Sequence, residues 1–331
     1  MSEEKGTISR RRLIAYGLAT GAGLVGLRAL SNWEAPLRLK KYVDNNLSDK
    51  LSIVHGQAPS DEQEPETVKK MTRTAVDALG GMDKLVKSGH NVVIKPNMAW
   101  NRPPKMAANT NPWVVAALVE MCLEAGADSV QVLDHTISKD PVPCYDMSGI
   151  ADAAAEAGAD VVYVDQSRFV NLEIKDGFVL KKWPFYETFI NQDLCDVLIN
   201  VPVLKDHGTT RLSIGMKNVL GMVGGTRGDL HTKIHRKIPD LNRIIKADLT
   251  VMDAYRVLRK HGPTGGRPED VDNSLDGARR VVASTDPVAV DSYGVHMFDY
   301  DPDEVGFVKH ADEAGLGNAD WKAPGVSEKS I

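Results

Sequence analysis

Lysines placed directly after apolar runs are the first residues in this chain that invite a chemical reading. Lys95 follows Val92-Val93-Ile94, and Lys205 follows Val201-Pro202-Val203-Leu204. A charged amine at the end of a buried strand costs free energy unless it meets an anion, so such a lysine is a candidate ligand group. Asp134 and His135 follow Leu133 in the same manner, Asp206 and His207 follow Lys205, and Asp253 follows Val251-Met252. Cations and glycines are densest between residues 205 and 237, where Lys205, His207, Lys217, Arg227, His231 and His235 stand among glycines at 208, 215, 221, 224, 225 and 228. Glycine lets backbone N–H groups come close to a ligand, and clustered cations favour carboxylate or phosphate. The pattern points to a small anionic ligand. It contains neither the phosphate-binding loop of nucleotide hydrolases nor a dinucleotide fingerprint.

Roles follow from residue type. Lys205 and Lys217 would hold the anionic group, His207 would move a proton, and Asp134 or Asp253 would orient or assist it. Lys95, Asn97, Asn218, Arg227 and Asp253 are expected around the ligand, with Gly265 and Gly266 of Gly262-Pro263-Thr264-Gly265-Gly266 forming a wall. His231 and His235 are four apart, with Asp229 nearby; on one helix they would share a face and could take a divalent metal. Lys233, Arg236 and Lys237 read as a solvated helix face. Two functions stay open at this stage: an enzyme using a Lys/His site, and a metal- or cofactor-binding redox accessory protein that works with an iron–sulfur partner. A binding module without chemistry is a third.

The three cysteines build neither a disulfide framework nor an iron–sulfur site on this chain. Cys122 and Cys195 lie in apolar patterns, and Cys144 lies between Pro143 and Tyr145 in an expected loop.

The elements that must position these groups alternate along the chain. Apolar runs predict strands at residues 51–55, 91–94, 129–133, 160–164, 196–203, 249–253 and 280–284. Amphipathic stretches predict helices at 66–86, 112–125, 148–157, 287–297 and 304–315. A hairpin is expected from residues 170–174 and 178–182, turning at Lys175-Asp176-Gly177. This alternation predicts an α/β fold, a mainly parallel sheet with helices on both faces plus a small β-hairpin insertion. Such sheets bind ligands at the carboxyl ends of their strands, which is where the lysines and aspartates stand.

A single α/β domain is expected over residues 50–322, followed by a tail at 323–331. The chain has 331 residues, 42% hydrophobic and 26% charged, as in soluble domains. The formal charge of -5 argues against nucleic acid as a partner. Residues 1–31 differ from the rest. Ser9-Arg10-Arg11-Arg12 precedes a mildly apolar stretch at 13–30, the pattern of a twin-arginine export signal. That expectation places the protein in the periplasm or an equivalent extracytoplasmic space. Arg28 and the glycines make the stretch a poor permanent membrane helix. Left uncleaved, it would associate the chain with the membrane through residues 9–30. Residues 32–49 read as a linker or docking segment.

Several of these motifs, taken in order, carry a resemblance. Val92-Val93-Ile94-Lys95-Pro96-Asn97, Asn200-Val201-Pro202-Val203-Leu204-Lys205-Asp206-His207 and Gly215-Met216-Lys217-Asn218-Val219-Leu220-Gly221 resemble the family called domain of unknown function 362. Gly262-Pro263-Thr264-Gly265-Gly266 and Asp286-Pro287-Val288-Ala289-Val290-Asp291 resemble it as well. The resemblance covers about residues 50 to 318. It implies that a cluster, where members work with redox proteins, comes from a partner here.

Overall fold

The structure, a computed structural model, describes residues 37, 39, 40, 46–57 and 60–331. The export signal expected at 1–31 lies outside the described residues, as does most of the segment 32–49.

The chain opens with β1 (Leu51–His55) and α1 (Glu64–Asp77). Glu64 and Glu66 sit in the first turn of α1 beside a proline, both favourable at a helix amino end. The helix was expected to reach residue 86, but Gly80 and Gly81 take positive φ and a separate 3-10 turn follows. Then come β2 (Asn91–Pro96), α2 (Pro112–Glu124), β3 (Ser129–Val132), α3 (Val142–Met147), α4 (Ile150–Glu156) and β4 (Asp160–Val161). Gly149, with φ at 69°, divides α3 from α4. A two-stranded unit, β5 (Phe169–Glu173) and β6 (Lys182–Tyr186), precedes α5 (Glu187–Ile190). The rest is β7 (Val197–Val201), β8 (Val203–His207), β9 (Arg211–Ser213), α6 (Gly215–Asn218), α7 (Ile234–Asn242), β10 (Leu249–Leu258), β11 (Val271–Asp272), β12 (Arg280–Ser284), α8 (Pro287–His296), α9 (Gly306–Glu313) and β13 (Val326–Ser330).

Among the described residues the main sheet has eleven strands, in the order β13-β1-β12-β10-β7-β2-β3-β4, with β8 and β11 paired to β10 and β9 paired to β8. Pairings from β10 through β7, β2 and β3 to β4 are parallel, and β12 alone reverses between β1 and β10. The fold is α/β with a mainly parallel sheet. Successive residues face opposite layers, as strand geometry requires. Val92 and Ile94 pack with Met71, Val115, Leu118 and Ile150. Val93 packs with Phe185, Phe189 and Leu241 on the other face. Leu51, Ile53 and Met252 meet Val290, Phe307 and Val308.

Direction decides which polar residues can meet. Lys95, Asp134 and Lys205 all sit at one end of co-directional strands. Asp286 follows the reversed β12 and so lies at the opposite end, where its carboxylate accepts the Val288 and Ala289 N–H groups of α8.

Three sequence expectations change. Residues 178–182 do not form the second hairpin strand: the partner of β5 is β6, four residues later. The Phe178, Val179 and Leu180 N–H groups instead donate to the Asp240 carboxylate at 2.5–2.8 Å, which holds that stretch as a loop. The tail at 323–331 contributes β13, paired in parallel with β1 from Leu51↔Val326 to His55↔Ser330. Its mostly exposed, polar sequence suits an edge strand and carries no apolar signal. The run at 196–203 is two strands, because Pro202 cannot donate to the ladder. Lys40, within 32–49, is docked: its ammonium lies 2.7 Å from Asp248, both side chains buried.

Candidate functional site

The carboxyl ends of β2, β3 and β8 open into a cavity of about 400 Å³. Its polar lining is Lys95 of β2 and Asn97 just after it, Asp134 and His135 after β3, Lys205 and His207 of β8, Ser213 of β9, Lys217 and Asn218 of α6, with Arg227 and His231 from a 3-10 turn at Arg227–His231. Ala99, Trp100, Ile137, Leu220 and Pro263 supply apolar surface. Three lysines and one arginine thus face one carboxylate.

Two of the lysines have protein partners. The Lys95 ammonium donates to Asn218 Oδ1 at 2.6 Å and pairs with Asp134 Oδ1 at 2.9 Å, and both charged side chains are buried. Asp134 Oδ2 accepts the Met98 N–H at 2.7 Å, which ties the loop after β2 to β3. Tyr145 fixes the same corner: its hydroxyl accepts the Asp134 N–H and shares its one proton between the Asp134 and Val162 carbonyls. The Lys205 amine donates to the Ala108 carbonyl and to Asn97 Oδ1. Asn218 is saturated: its Oδ1 also accepts from Asn97, and its Nδ2 donates to the Lys95 carbonyl and to Asn200 Oδ1. Asn218 therefore braces Lys95 instead of presenting its amide to a ligand.

Lys217 differs. It lines the cavity, and among the described residues its ammonium has no hydrogen-bond acceptor or carboxylate partner. Burial, with Lys95 nearby, lowers its pKa to about 8. Lys205 is pushed well below the ordinary amine value by burial and then by Lys217. For Lys95 burial also lowers the pKa, with Asp134 opposing it.

His207 and His135 both have lowered pKa values. Burial, then Lys217, Lys205 and His231, take His207 down to about 3. The Thr209 N–H donates to His207 Nδ1 at 3.2 Å, which leaves the ring proton on Nε2. His207 is thus arranged as a donor; the proton-accepting role expected of it would need the other tautomer. His135 Nδ1 donates to the Val223 carbonyl at 2.9 Å, and Gln166 reaches its Nε2. Arg227 spends NH1 and NH2 on the His135 and Thr136 carbonyls, which pins its guanidinium at the cavity wall.

The short α6 is aimed from a distance. Asp291, fully buried on α8, accepts the Gly215 and Met216 N–H groups at 2.7 and 2.9 Å. A Cβ on Gly215 would stand 2.7 Å from that carboxylate, so the residue must be glycine for the helix to seat. Sequence reasoning about site residues missed Asp291, Tyr145, Trp100 and the role of His135. Only the Asp286–Asp291 motif carried a signal for any of them.

Four expected residues lie elsewhere. Asp253 is buried and accepts the Asn111 and Tyr255 N–H groups; burial raises its pKa to about 6, and it fastens the start of α2 instead of lining the cavity. Gly265 and Gly266 stand behind Pro263, the loop residue that does line it. His231 and His235 do not share a helix: Lys233 takes a left-handed φ of 55° between them. His231 faces the cavity, whereas His235 stacks on Phe307 with ring centroids 6.2 Å apart.

The chain is thus an α/β protein with a cation-lined cleft at its strand ends. It belongs to the family described as Domain of unknown function (DUF362), which matches residues 92–296. A thylakoid-associated protein of Synechocystis sp. is 25% identical over 255 residues, covering 74% of each chain. Among solved structures, the lactate racemase apoprotein from Thermoanaerobacterium thermosaccharolyticum aligns over 82% of this chain and 63% of its own, at TM-score 0.42 and 10% identity. A Thermotoga maritima protein aligns over 75% and 59%, at TM-score 0.41 and 14% identity. The chain spans about three-fifths of the length of these two structures.

Gly221 gives a direct test of the buried pair. A Cβ there would stand 2.0 Å from Asp134 Oδ1 and 2.7 Å from Lys95 Nζ, while at Gly228 it would meet nothing within 4 Å. Gly221→Ala should lower the unfolding free energy by roughly 1–3 kcal/mol, as overpacking does. Gly228→Ala should stay within about 0.5 kcal/mol. Denaturant melts would show it; equal midpoints for the two variants would mean the pair is not packed this way.

Proposed function

We propose that the cavity binds a small organic anion, a carboxylate or phosphate, and that the protein is an enzyme acting on it by proton transfer. The observation that carries this is Lys217, a cation lining the cavity that has no protein anion beside it among the described residues. A bound anion would supply the missing partner. Arg227 adds positive charge, the Lys205 amine adds N–H donors, and the neutral His207 offers an Nε2–H donor to a ligand oxygen. An amine titrating near 8 is matched to exchanging protons close to neutral pH. The alternative, a metal- or cofactor-binding redox accessory protein working with an iron–sulfur partner, keeps the support of the export segment; the break at Lys233 takes from it only the shared helix face of His231 and His235.

We also infer that the protein works outside the cytoplasm, carried there by its twin-arginine segment. Support comes from Arg10-Arg11-Arg12 ahead of the apolar stretch, and from a relative whose name associates it with thylakoids. Among the described residues no helix is long and apolar enough to cross a membrane. Changing Arg10 and Arg11 together to Lys should leave the protein in the cytoplasmic fraction. Unchanged export would count against this route.

Sulfate keeps its charge across the relevant pH range and serves as a probe of the anion site. Lys217 has a depressed pKa, so it is charged below about 8 and neutral above it. Binding an anion favours the charged form, so affinity should be level below pH 8 and fall by up to about tenfold per unit above it. Of the groups facing Lys217, Asp134 and Lys95 are paired, and His207 stays neutral throughout. Arg227 is lowered from the high guanidinium value by burial, with Asp134 opposing, and Lys205 is depressed in the same direction as Lys217. Titration calorimetry at constant ionic strength should show this fall, and Lys217→Met should weaken binding at pH 7 by about tenfold or more, roughly 1.4 kcal/mol. Undiminished sulfate binding by Lys217→Met would refute the reading.

A further inference from the structure

The amines of the cavity are not equivalent as nucleophiles. Lys95 is engaged by Asp134 and Asn218, and Lys205 by the Ala108 carbonyl and Asn97. The Arg227 guanidinium is held by two carbonyls and is not nucleophilic. Lys217 alone among them has an amine without a partner, and its backbone is fixed on both sides. Asp291 holds Gly215 and Met216 just before it, and the saturated Asn218 follows it. An amine nucleophile needs this combination: a fixed stem, a free nitrogen and a wall that disfavours its protonated form. Leu220, Trp100 and Pro263 provide apolar wall, and neighbouring cations disfavour a further charge.

We propose that Lys217 is a covalent nucleophile that forms an imine with a small carbonyl-bearing anion, such as a 2-oxo acid. This deepens the anion-binding reading and rests on it: Arg227 and Lys205 hold the carboxylate, and Lys217 meets the carbonyl carbon next to it. The neutral amine donates its lone pair to that carbon, and the C–N bond forms as the C=O π pair moves to oxygen. His207 Nε2–H is placed to hydrogen-bond that oxygen as its charge develops. A first proton passes from nitrogen to that oxygen to give the carbinolamine; the hydroxyl then takes a second proton and leaves as water with the C–O bond pair, while the nitrogen lone pair closes C=N and the nitrogen gives up its second proton. With a pKa near 8, roughly a tenth of Lys217 is neutral at pH 7, against less than one part in a thousand for an ordinary lysine.

The full-length protein would be incubated with glyoxylate and cyanoborohydride, which reduces an imine to a stable secondary amine, and then mapped by peptide mass spectrometry. The wild type should carry one carboxymethyl adduct, on Lys217, formed well ahead of exposed lysines such as Lys322 and suppressed by sulfate. Lys217→Arg should lose that adduct while still binding sulfate, which shows the cavity intact. Sulfate binding in the wild type without preferential modification of Lys217 would overturn the imine and leave the anion site standing. Failure of both sulfate binding and modification would overturn the two together.

Discussion

Burying an ammonium group carries a penalty of several kcal/mol unless the protein supplies acceptors or an opposite charge, on the order given for buried ions generally. The strand ends of this fold bring three lysines and an arginine to one cavity, and much of the surrounding structure answers that problem. Lys95 is met by Asp134 and Asn218, and Lys205 by a carbonyl and Asn97. Gly221 is glycine because the Lys95–Asp134 pair fills the space a side chain would need. With those charges accommodated, Lys217 is left facing the cavity with its charge unmatched. Partial neutralisation or a bound anion are the two physical ways to relieve it, and the proposed chemistry uses both.

The positioning of these groups is spread over most of the chain. β2, β3 and β8 run in one direction and so deliver their terminal residues to the same edge. Asp291 comes from a helix that follows the reversed strand β12, yet it reaches across the layer to seat the four-residue helix bearing Lys217. Asp134 has a comparable reach, joining two loops through Met98 while pairing with Lys95. Asp134, Asn218 and Asp291 are therefore residues through which Lys217 and its neighbours are aimed.

Much of the fold was legible in the sequence because buried strands leave short continuous apolar runs, as the parallel β2 and β7 and the reversed β12 all do. The polar residues after those runs were visible for the same reason, which is why Lys95, Asp134, Lys205 and His207 could be named together. What escaped depended on contacts distant in sequence. Nothing local marks Asp240 as the acceptor for three N–H groups some 60 residues earlier, so the hairpin was read four residues out of register. β13 has no apolar stripe because it is an exposed edge. The His231–His235 spacing suggested one helix, whereas Lys233 turns left-handed between them. Asp253 looked like its neighbours after strands, but it is consumed by backbone N–H groups.

The central claim is that Lys217 is a half-buried amine that lacks a protein anion among the described residues, and its own titration tests this most directly. Nitrogen-detected NMR of lysine side chains, assigned by comparison with Lys217→Arg, would follow its Nζ from pH 6 to 11 with and without sulfate. The account predicts a midpoint near 8 in the free protein, moving upward when the anion binds. A free-protein midpoint at the ordinary lysine value, about 10.4, unchanged by sulfate, would contradict it.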